Sequence, residues 1–168
     1  MIMYEPSIHL NRLVVYSQGR SVYDQDFDSG VNIVRGGNGS GKTTVSDFIF
    51  HIMGGEVYQW RESAKHCDTV VGELSINDEI VTVRRDIDAG RKKRPMFFYW
   101  GEMKDSWDSS LTEWEKYPYS TTETKGGFSS VLFDLLDIPD VKGFLDSRVT
   151  MHQILRLMYV DQLTPYDQ

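Results

Sequence analysis

A glycine-rich stretch around residue 40 has the residue types and the spacing of a phosphate-binding loop. It fits the pattern Gly-x-x-x-x-Gly-Lys-Thr, with Gly36, Gly41, Lys42 and Thr43 at the defining positions. Such a loop binds polyphosphate because glycine reaches the backbone conformations that turn several N–H groups inward. The lysine supplies a cation for the outer phosphates, and the threonine supplies a hydroxyl for Mg²⁺. The loop therefore predicts a site for ATP with Mg²⁺.

The chemistry of phosphoryl transfer gives each loop residue a role. We expect the backbone amides of residues 38–43 to surround the β-phosphate, and Lys42 to act in catalysis by bridging the β- and γ-phosphate oxygens. The Thr43 hydroxyl should ligate Mg²⁺, and Thr44 should contact the α-phosphate. The predicted nucleotide-binding residues are Gly36, Asn38, Gly39, Ser40, Gly41, Lys42, Thr43 and Thr44.

The segments on both sides of the loop have the patterns that such a site requires. Residues 31–34 (Val-Asn-Ile-Val) form a short apolar run that predicts a buried strand. After the loop, apolar residues recur at helical spacing until Gly54 and Gly55, which predicts a helix with its N-terminus at the phosphates. The apolar residues of this helix are Val45, Phe48, Ile49, Ile52 and Met53.

Alternating apolar residues predict strands before and after this unit, and helices follow toward the end of the chain. The clearest signal is a hairpin of residues 69–75 and 79–86, because the intervening Ile-Asn-Asp is turn chemistry. Residues 104–127 are rich in Ser, Thr, Asp and Glu and predict an irregular insertion. The other predicted elements are strands over 7–17, 21–27 and 96–100, a helix over 129–136, and a last helix capped by Thr150 with an apolar face of Ile154, Leu155, Leu157 and Met158.

The composition is that of an ordinary globular domain, with 168 residues, 40% of them hydrophobic, and a net charge of −7. The apolar runs are far shorter than the roughly 20 residues that cross a bilayer, and no secretory leader opens the chain. We therefore expect a cytoplasmic protein without a membrane partner. Cys67 is the single cysteine, which excludes an internal disulfide. It is interpreted as a buried thiol rather than half of a metal site with His66.

Positive charge is concentrated in one part of this acidic chain. Six of the eighteen basic residues lie between Arg84 and Arg94. They are Arg84, Arg85, Arg91, Lys92, Lys93 and Arg94. The cluster either contacts a nucleic-acid backbone or forms a solvated turn between two strands, and the sequence leaves both interpretations open.

The loop and its surroundings resemble the head domain of the SMC/Rad50/RecF-type ABC ATPases. The resemblance rests on Asn-Gly-Ser-Gly-Lys-Thr-Thr at residues 38–44 after Asn-Ile-Val at residues 32–34, with a hairpin sheet after the first helix. It implies an α/β P-loop NTPase head of the ABC type, whose N-terminal lobe has a mixed sheet with antiparallel hairpins plus helices. A bacterial defence SMC-like subunit of the Lamassu type is the most specific form of this resemblance, although no separate motif carries it.

The resemblance also implies roles for residues outside the loop. In that family a late helix leads to a glutamine that reaches Mg²⁺ and the attacking water, and Gln162 follows such a predicted helix. Gln162 would thus be both catalytic and a metal ligand. The path from Lys42 to Gln162 is longer than ABC transporter domains typically have. Some family members carry an arginine that reaches the γ-phosphate, and Arg61 is a candidate for it. Arg12 and Arg35 flank the first strands and either approach the nucleotide or the opposing head or form surface salt bridges.

Several parts of a complete head are missing from the sequence. We find no signature motif of the LSGGQ type, no aliphatic run ending in Asp-Glu, and no long heptad segment. In the family these parts lie in or beyond a coiled coil, in the C-terminal half of the same head. We therefore expect residues 1–168 to be the N-terminal half of a head that is incomplete without its C-terminal half.

A head of this kind implies a particular set of partners and a function. Its partners would be the C-terminal half of the same head, a second head in a homodimer, DNA, and a nuclease or accessory subunit. ATP-driven engagement of two heads would act on DNA in repair, chromosome organisation or anti-phage and anti-plasmid defence. The alternatives are another P-loop machine, such as a transporter-type ATPase or a small-molecule kinase, and a nucleotide sensor that does not hydrolyse ATP.

Overall fold

One six-stranded antiparallel sheet organises the part of the chain that the computed structural model describes, which is residues 5–87, 93–139 and 148–159. The strand order is β2-β1-β3-β4-β5-β6. All five pairings among these described strands are antiparallel, so the expected mixed sheet is not found there. The strands are β1 (Ile8–Ser17), β2 (Arg20–Asp26), β3 (Thr69–Ile76), β4 (Glu79–Asp86), β5 (Met96–Tyr99) and β6 (Glu115–Tyr117).

Helices cover both faces of this sheet. The larger face packs against α1 (Lys42–Ile52), α3 (Phe128–Leu135) and α4 (Met151–Met158), and the smaller covered area lies beneath α2 (Met103–Trp107). Strand alternation explains the division, because successive side chains point to opposite faces. Leu13 and Val15 of β1 enter the main core, whereas Val14 packs with Val71 and Met103 on the other side. None of the helices in the described ranges has the length and apolar character needed to cross a bilayer.

The predicted hairpin is confirmed, but its turn is one residue shorter than expected, because Ile76 belongs to β3. β3 and β4 pair in register from Thr69 opposite Asp86 to Ile76 opposite Glu79. Asn77 and Asp78 have φ values of 46° and 68°, which is the left-handed geometry of a two-residue hairpin turn that asparagine and aspartate tolerate. The turn is tied to the rest of the fold, since the Asn77 side chain accepts from Ser7 N–H and donates to the Leu135 carbonyl.

The helix after the loop and the last helix also lie where the sequence places them. α1 buries Val45, Phe48 and Ile52 against the sheet. α4 begins at a capping box, in which the side chains of Thr150 and Gln153 each bond to the other residue's backbone N–H. The apolar face predicted for α4 is only partly buried. Leu155 is in the core, but Leu157 and Met158 are 89% and 72% exposed.

The segment 31–34, predicted to be a buried strand, is neither a strand nor buried. Val31 and Ile33 are 90% and 69% exposed, and no described strand pairs with this segment. A local hydrogen-bonded turn replaces the ladder: the Asn32 side chain accepts from Asp28 N–H at 2.9 Å and donates to the Asp28 carbonyl at 2.8 Å. Asparagine competes with strand formation in this way. The sequence correctly indicated an apolar segment, but the described residues leave Val31 and Ile33 largely exposed.

Residues 104–127, expected to be irregular, contain most of α2, a 3₁₀ turn (Leu111–Glu113) and β6. These elements are short and are joined by turns. β6 extends the sheet by pairing Tyr117 with Met96, and the Trp114 ring contacts Tyr99 with centroids 5.6 Å apart. The stretch therefore contributes the edge strand of the sheet.

Candidate nucleotide-binding site

The glycine-rich loop has the backbone geometry that makes an anion cradle. Gly39 and Gly41 have φ values of 77° and 88°, in the left-handed region that glycine enters without steric cost. At Gly36 the space is limited instead, because an added Cβ would lie 2.3 Å from the Ser40 hydroxyl oxygen, which would have to rotate away. The loop turns tightly enough for Ser40 N–H to donate to the Gly37 carbonyl at 3.3 Å.

The N-terminus of α1 faces the loop with its backbone donors. Gly41 precedes the helix, and its carbonyl accepts the first intrahelical bond, from Val45 N–H at 3.0 Å. The amides of the first turn, Lys42 to Thr44, have no acceptor within the helix. Together with the helix dipole they favour an anion, and no acidic side chain lies in that first turn to compete.

The Lys42 side chain folds back across the loop. Its ammonium donates to the carbonyl oxygens of Gly36 at 2.8 Å and Gly37 at 2.7 Å. The charge is thus placed at the mouth of the cradle, where phosphate oxygens would exchange with the two carbonyls as hydrogen-bond acceptors.

The loop forms one side of a cavity of about 410 Å³, which lies within the range of ligand pockets. Arg61 and Ser63, from the segment after α1, also line this cavity. A hydrogen bond between the hydroxyls of Thr44 and Ser63, 2.9 Å apart, ties this segment to the start of α1. The lining residues are Asn38, Gly39, Ser40, Gly41, Lys42, Thr43, Thr44, Arg61 and Ser63.

The packing of its neighbour Trp60 and an ion pair hold Arg61 against α1. Its neighbour Trp60 is 6% exposed and packs against Phe48 and the edge of His51. The Arg61 Nε donates to Asp47 Oδ2 at 3.0 Å, and the Asp47 side chain is only 10% exposed. The guanidinium therefore has a defined position at the cavity wall.

Two of the other arginines discussed from the sequence lie away from this cavity. Arg12 donates to Asp24 through two bonds of 2.8 Å and lies over the Trp107 ring. The bond to Asp24 raises the pKa of Arg12. Of its two interpretations, the surface salt bridge is the one found. Arg85, assigned to the exposed basic cluster, is fully buried beneath the end of α1, so it cannot contact DNA; Arg91 and Lys92 lie outside the described residues.

Two further expectations concern metal binding. Cys67 is partly exposed, whereas a buried thiol was expected. The partial burial that remains raises the pKa of the thiol. Within the described ranges, no group of three His, Cys, Asp or Glu side chains is placed to hold a metal ion. Gln162, the proposed second ligand of Mg²⁺ beside Thr43, lies outside the described residues.

Sequence reasoning missed three residues that shape the site, namely Asp47, Ser63 and Tyr159. A signal for Asp47 was present: Thr44, Asp47 and His51 are polar residues at i, i+3 and i+7 of the helix, and all three are buried. A polar stripe on a helix that is otherwise apolar indicates specific partners. Ser63 and Tyr159 carried no such signal, because their roles depend on contacts across the fold.

Comparison with known proteins places this loop and sheet in a family. A family model described as an AAA domain matches residues 7–151, which is most of the chain. The chain belongs to this family. Its members are generally ATPases, which makes this a nucleotide-binding domain of the ATPase type, a class that typically binds its nucleotide with Mg²⁺. No curated protein and no solved structure matches the chain.

Proposed function

We propose that this chain is the ATP-binding N-terminal half of a coiled-coil, SMC/Rad50-like ATPase that acts on DNA through ATP-driven engagement of two heads. The observation that carries the nucleotide part is the position of the Lys42 ammonium, between the Gly36 and Gly37 carbonyls at the N-terminus of α1. The AAA domain family, which is found in SMC/Rad50-like proteins, supports the same assignment.

The residues of the cavity fit Mg·ATP. Phosphate oxygens would accept from the first-turn amides of α1 and from the Lys42 ammonium, and the Thr43 hydroxyl would hold the metal. Arg61 also lines the cavity and adds a second positive charge to it. When bound, Mg²⁺ neutralises charge that develops on the phosphates during transfer. Gln162 is proposed to place the attacking water.

The exposed apolar segment at residues 31–34 supports a half-head. Val31, Ile33 and Val34 are 90%, 69% and 44% exposed, directly before the loop whose position they should fix. Burial of such side chains stabilises a protein by about 25 cal/mol per Å² of apolar surface. We propose that the C-terminal half of the same head, whose existence the resemblance implies, covers this segment.

The action on DNA follows from the same proposal. Two heads would bind two ATP molecules between them, and engagement would move the coiled coils and change access to DNA. The proposed partners are a second copy of the head, DNA, and a nuclease or accessory subunit. Repair, chromosome organisation and defence against phages or plasmids are the pathways that this mechanism would serve.

Binding of fluorescent ATP with Mg²⁺ tests the nucleotide part. We expect the parent chain to bind and Lys42→Ala to reduce affinity at least tenfold, because the variant lacks the ammonium at the phosphates. Lys104→Ala is the matched control, since this lysine is exposed and pairs with Glu102 on another part of the surface. A folded parent chain that gives no signal would contradict the proposal.

Hydrolysis tests the head assignment and separates it from a nucleotide sensor. The chain alone should turn over negligibly, and addition of its C-terminal half should produce hydrolysis that depends on Lys42 and Gln162. A sensor would depend on Lys42 for its biological effect and tolerate Gln162→Ala. Rapid hydrolysis by the 168-residue chain by itself would count against the half-head.

A further inference from the structure

The carboxylate of Asp47 joins two parts of the fold that are far apart in sequence. One oxygen, Oδ2, accepts from Arg61 Nε at 3.0 Å, and the other, Oδ1, accepts from the Tyr159 hydroxyl at 3.0 Å. Asp47 itself is 7% exposed. Because burial of a carboxylate is costly unless it is paired and hydrogen-bonded, these two contacts help to hold the Asp47 side chain in this position.

The first arm of this contact reaches the nucleotide cavity. Arg61 lines the same cavity as the glycine-rich loop. A guanidinium is a rigid planar fork, so fixing its Nε edge against a carboxylate also fixes the direction of its two Nη groups. Asp47 lies on α1 one turn after Thr44, which bonds to Ser63 at 2.9 Å on the same cavity wall. The wall is therefore held to α1 at two successive turns.

The second arm reaches the end of α4. Tyr159 directly follows this helix, and its N–H donates to the Leu155 carbonyl at 2.8 Å. Its ring packs on Phe50 of α1 with centroids 4.7 Å apart. The hydroxyl bond to Asp47 is thus a polar contact inside an otherwise apolar contact between α1 and the end of α4. Movement of the Asp47 carboxylate would therefore change a hydrogen bond made at the end of α4.

We propose that Asp47 is the positioning residue of the nucleotide cavity, which holds Arg61 toward the outermost phosphate and passes the presence of that phosphate to α4 through Tyr159. This inference rests on the proposed nucleotide site. ATP brings an additional acceptor to the Arg61 guanidinium that ADP lacks. The shared carboxylate then redistributes its two hydrogen bonds, and the end of α4 responds to ATP but not to ADP.

Affinities for Mg·ATP and Mg·ADP test the first arm. Asp47→Asn should weaken ATP binding about tenfold, the usual scale for a lost charged hydrogen bond, and change ADP binding less than about twofold. Arg61→Gln should do the same. The double variant should be no weaker than either single variant, because both changes remove one interaction. Equal losses for ATP and ADP, effects that multiply, or a gain in ATP affinity would each overturn the proposal.

Hydrogen exchange of the α4 amides tests the second arm. In the parent chain, Mg·ATP should slow exchange near Leu155 more than Mg·ADP does. Tyr159→Phe should abolish this difference while ATP affinity stays within about twofold. Tyr58→Phe is the matched control, since Tyr58 lies beside the same region, is 64% exposed, and bonds to His152 instead. An α4 response that survives in Tyr159→Phe would overturn the relay.

The two proposals can fail separately. If the folded parent chain does not bind Mg·ATP, the nucleotide site and the relay are both wrong. If it binds ATP in a manner that depends on Lys42, but Asp47→Asn and Arg61→Gln retain the parent preference for ATP over ADP, only the relay is wrong. Should Asp47→Asn fail to fold, Arg61→Gln and Tyr159→Phe still decide the question, because each removes one of the two contacts and keeps the carboxylate itself.

Discussion

The guanidinium of Arg85 meets the carboxylate of Glu56 just beyond the end of α1, with Nη2 and Oε2 3.1 Å apart. The same guanidinium donates to the carbonyls of His51, in the last turn of α1, and of Gly55, just after the helix. The Arg85 Cζ atom lies over the Phe128 ring, 4.9 Å from its centroid. Arg85 therefore fixes the end of α1 and the start of the segment that carries Arg61.

Replacement of Arg85 should destabilise the fold severely. Arg85→Ala removes the cation that pairs with the Glu56 carboxylate and the side-chain donor to the Gly55 carbonyl, and loss of one partner of a buried ion pair usually costs about 3–5 kcal/mol. Arg84→Ala, one residue earlier on the half-exposed face of the strand, should cost less than about 1 kcal/mol. Urea unfolding of the two variants measures the contrast, and comparable losses would contradict the structural role given to Arg85.

Glycine at position 41 should be required for nucleotide binding. Gly41→Ala places a side chain at a φ of 88°, which costs about 1–2 kcal/mol in an L-residue and shifts the amides at the start of α1. ATP affinity should fall at least tenfold while the sheet stays folded. Gly37→Ala is the control, because its added Cβ meets nothing within 4 Å and its φ is not positive. If Gly41→Ala kept the ATP affinity of the parent chain and Gly37→Ala lost it, our description of the loop would be wrong.

His51 should make stability depend on pH. Burial, reinforced by the charge of Arg85, lowers the pKa of His51 well below its ordinary value, so below pH about 6.5 the unfolded chain binds a proton that the folded chain refuses. Its contribution to stability is complete above that pH and falls with pH by up to about 1.4 kcal/mol per unit. The difference in unfolding free energy between parent and His51→Gln should therefore shrink on acidification. The exposed His9→Gln variant is the control, and a pH-independent difference for His51 would disprove the mechanism.

Because the Ile33 side chain is exposed, its substitution can test association with the C-terminal half without unfolding the chain. Ile33→Ala should change the stability of the chain by less than about 0.5 kcal/mol, because its side chain is 69% exposed. Ile52→Ala, at a fully buried position of α1, should cost about 2–5 kcal/mol. If the C-terminal half covers residues 31–34, Ile33→Ala should weaken the association of the two halves in a pull-down or calorimetric titration. Unchanged association would remove the support that this segment gives to the half-head.

Local signals in the sequence were sufficient for elements whose stabilising groups are close along the chain. The hairpin turn follows from Asn77 and Asp78, and the start of α4 follows from Thr150 and Gln153, because each signal and its partner lie within four residues. The loop itself was readable for the same reason. Alternation within β4 would also have placed Arg85 on the face of Val81 and Val83, although the density of nearby charges suggested an exposed turn.

Contacts that depend on distant parts of the chain were not readable. The bond between Asp47 and Tyr159 spans 112 positions, and nothing in either local sequence indicates it. The prediction that residues 31–34 are buried failed because burial requires a second element that packs on the segment. The apolar side chains of Val31 and Ile33 indicate the segment but not its packing partner.

Every residue lining the nucleotide cavity comes from the single connection between β2 and β3, from the glycine-rich loop through α1 to Ser63. The strands that flank this connection are held by their own ladders to β1 and β4. The donors for the ligand and the hydrogen-bond ladders of the sheet thus lie in different stretches of polypeptide. An exchange at an exposed loop position such as Asn38 can therefore alter the ligand site without removing a hydrogen bond from the sheet.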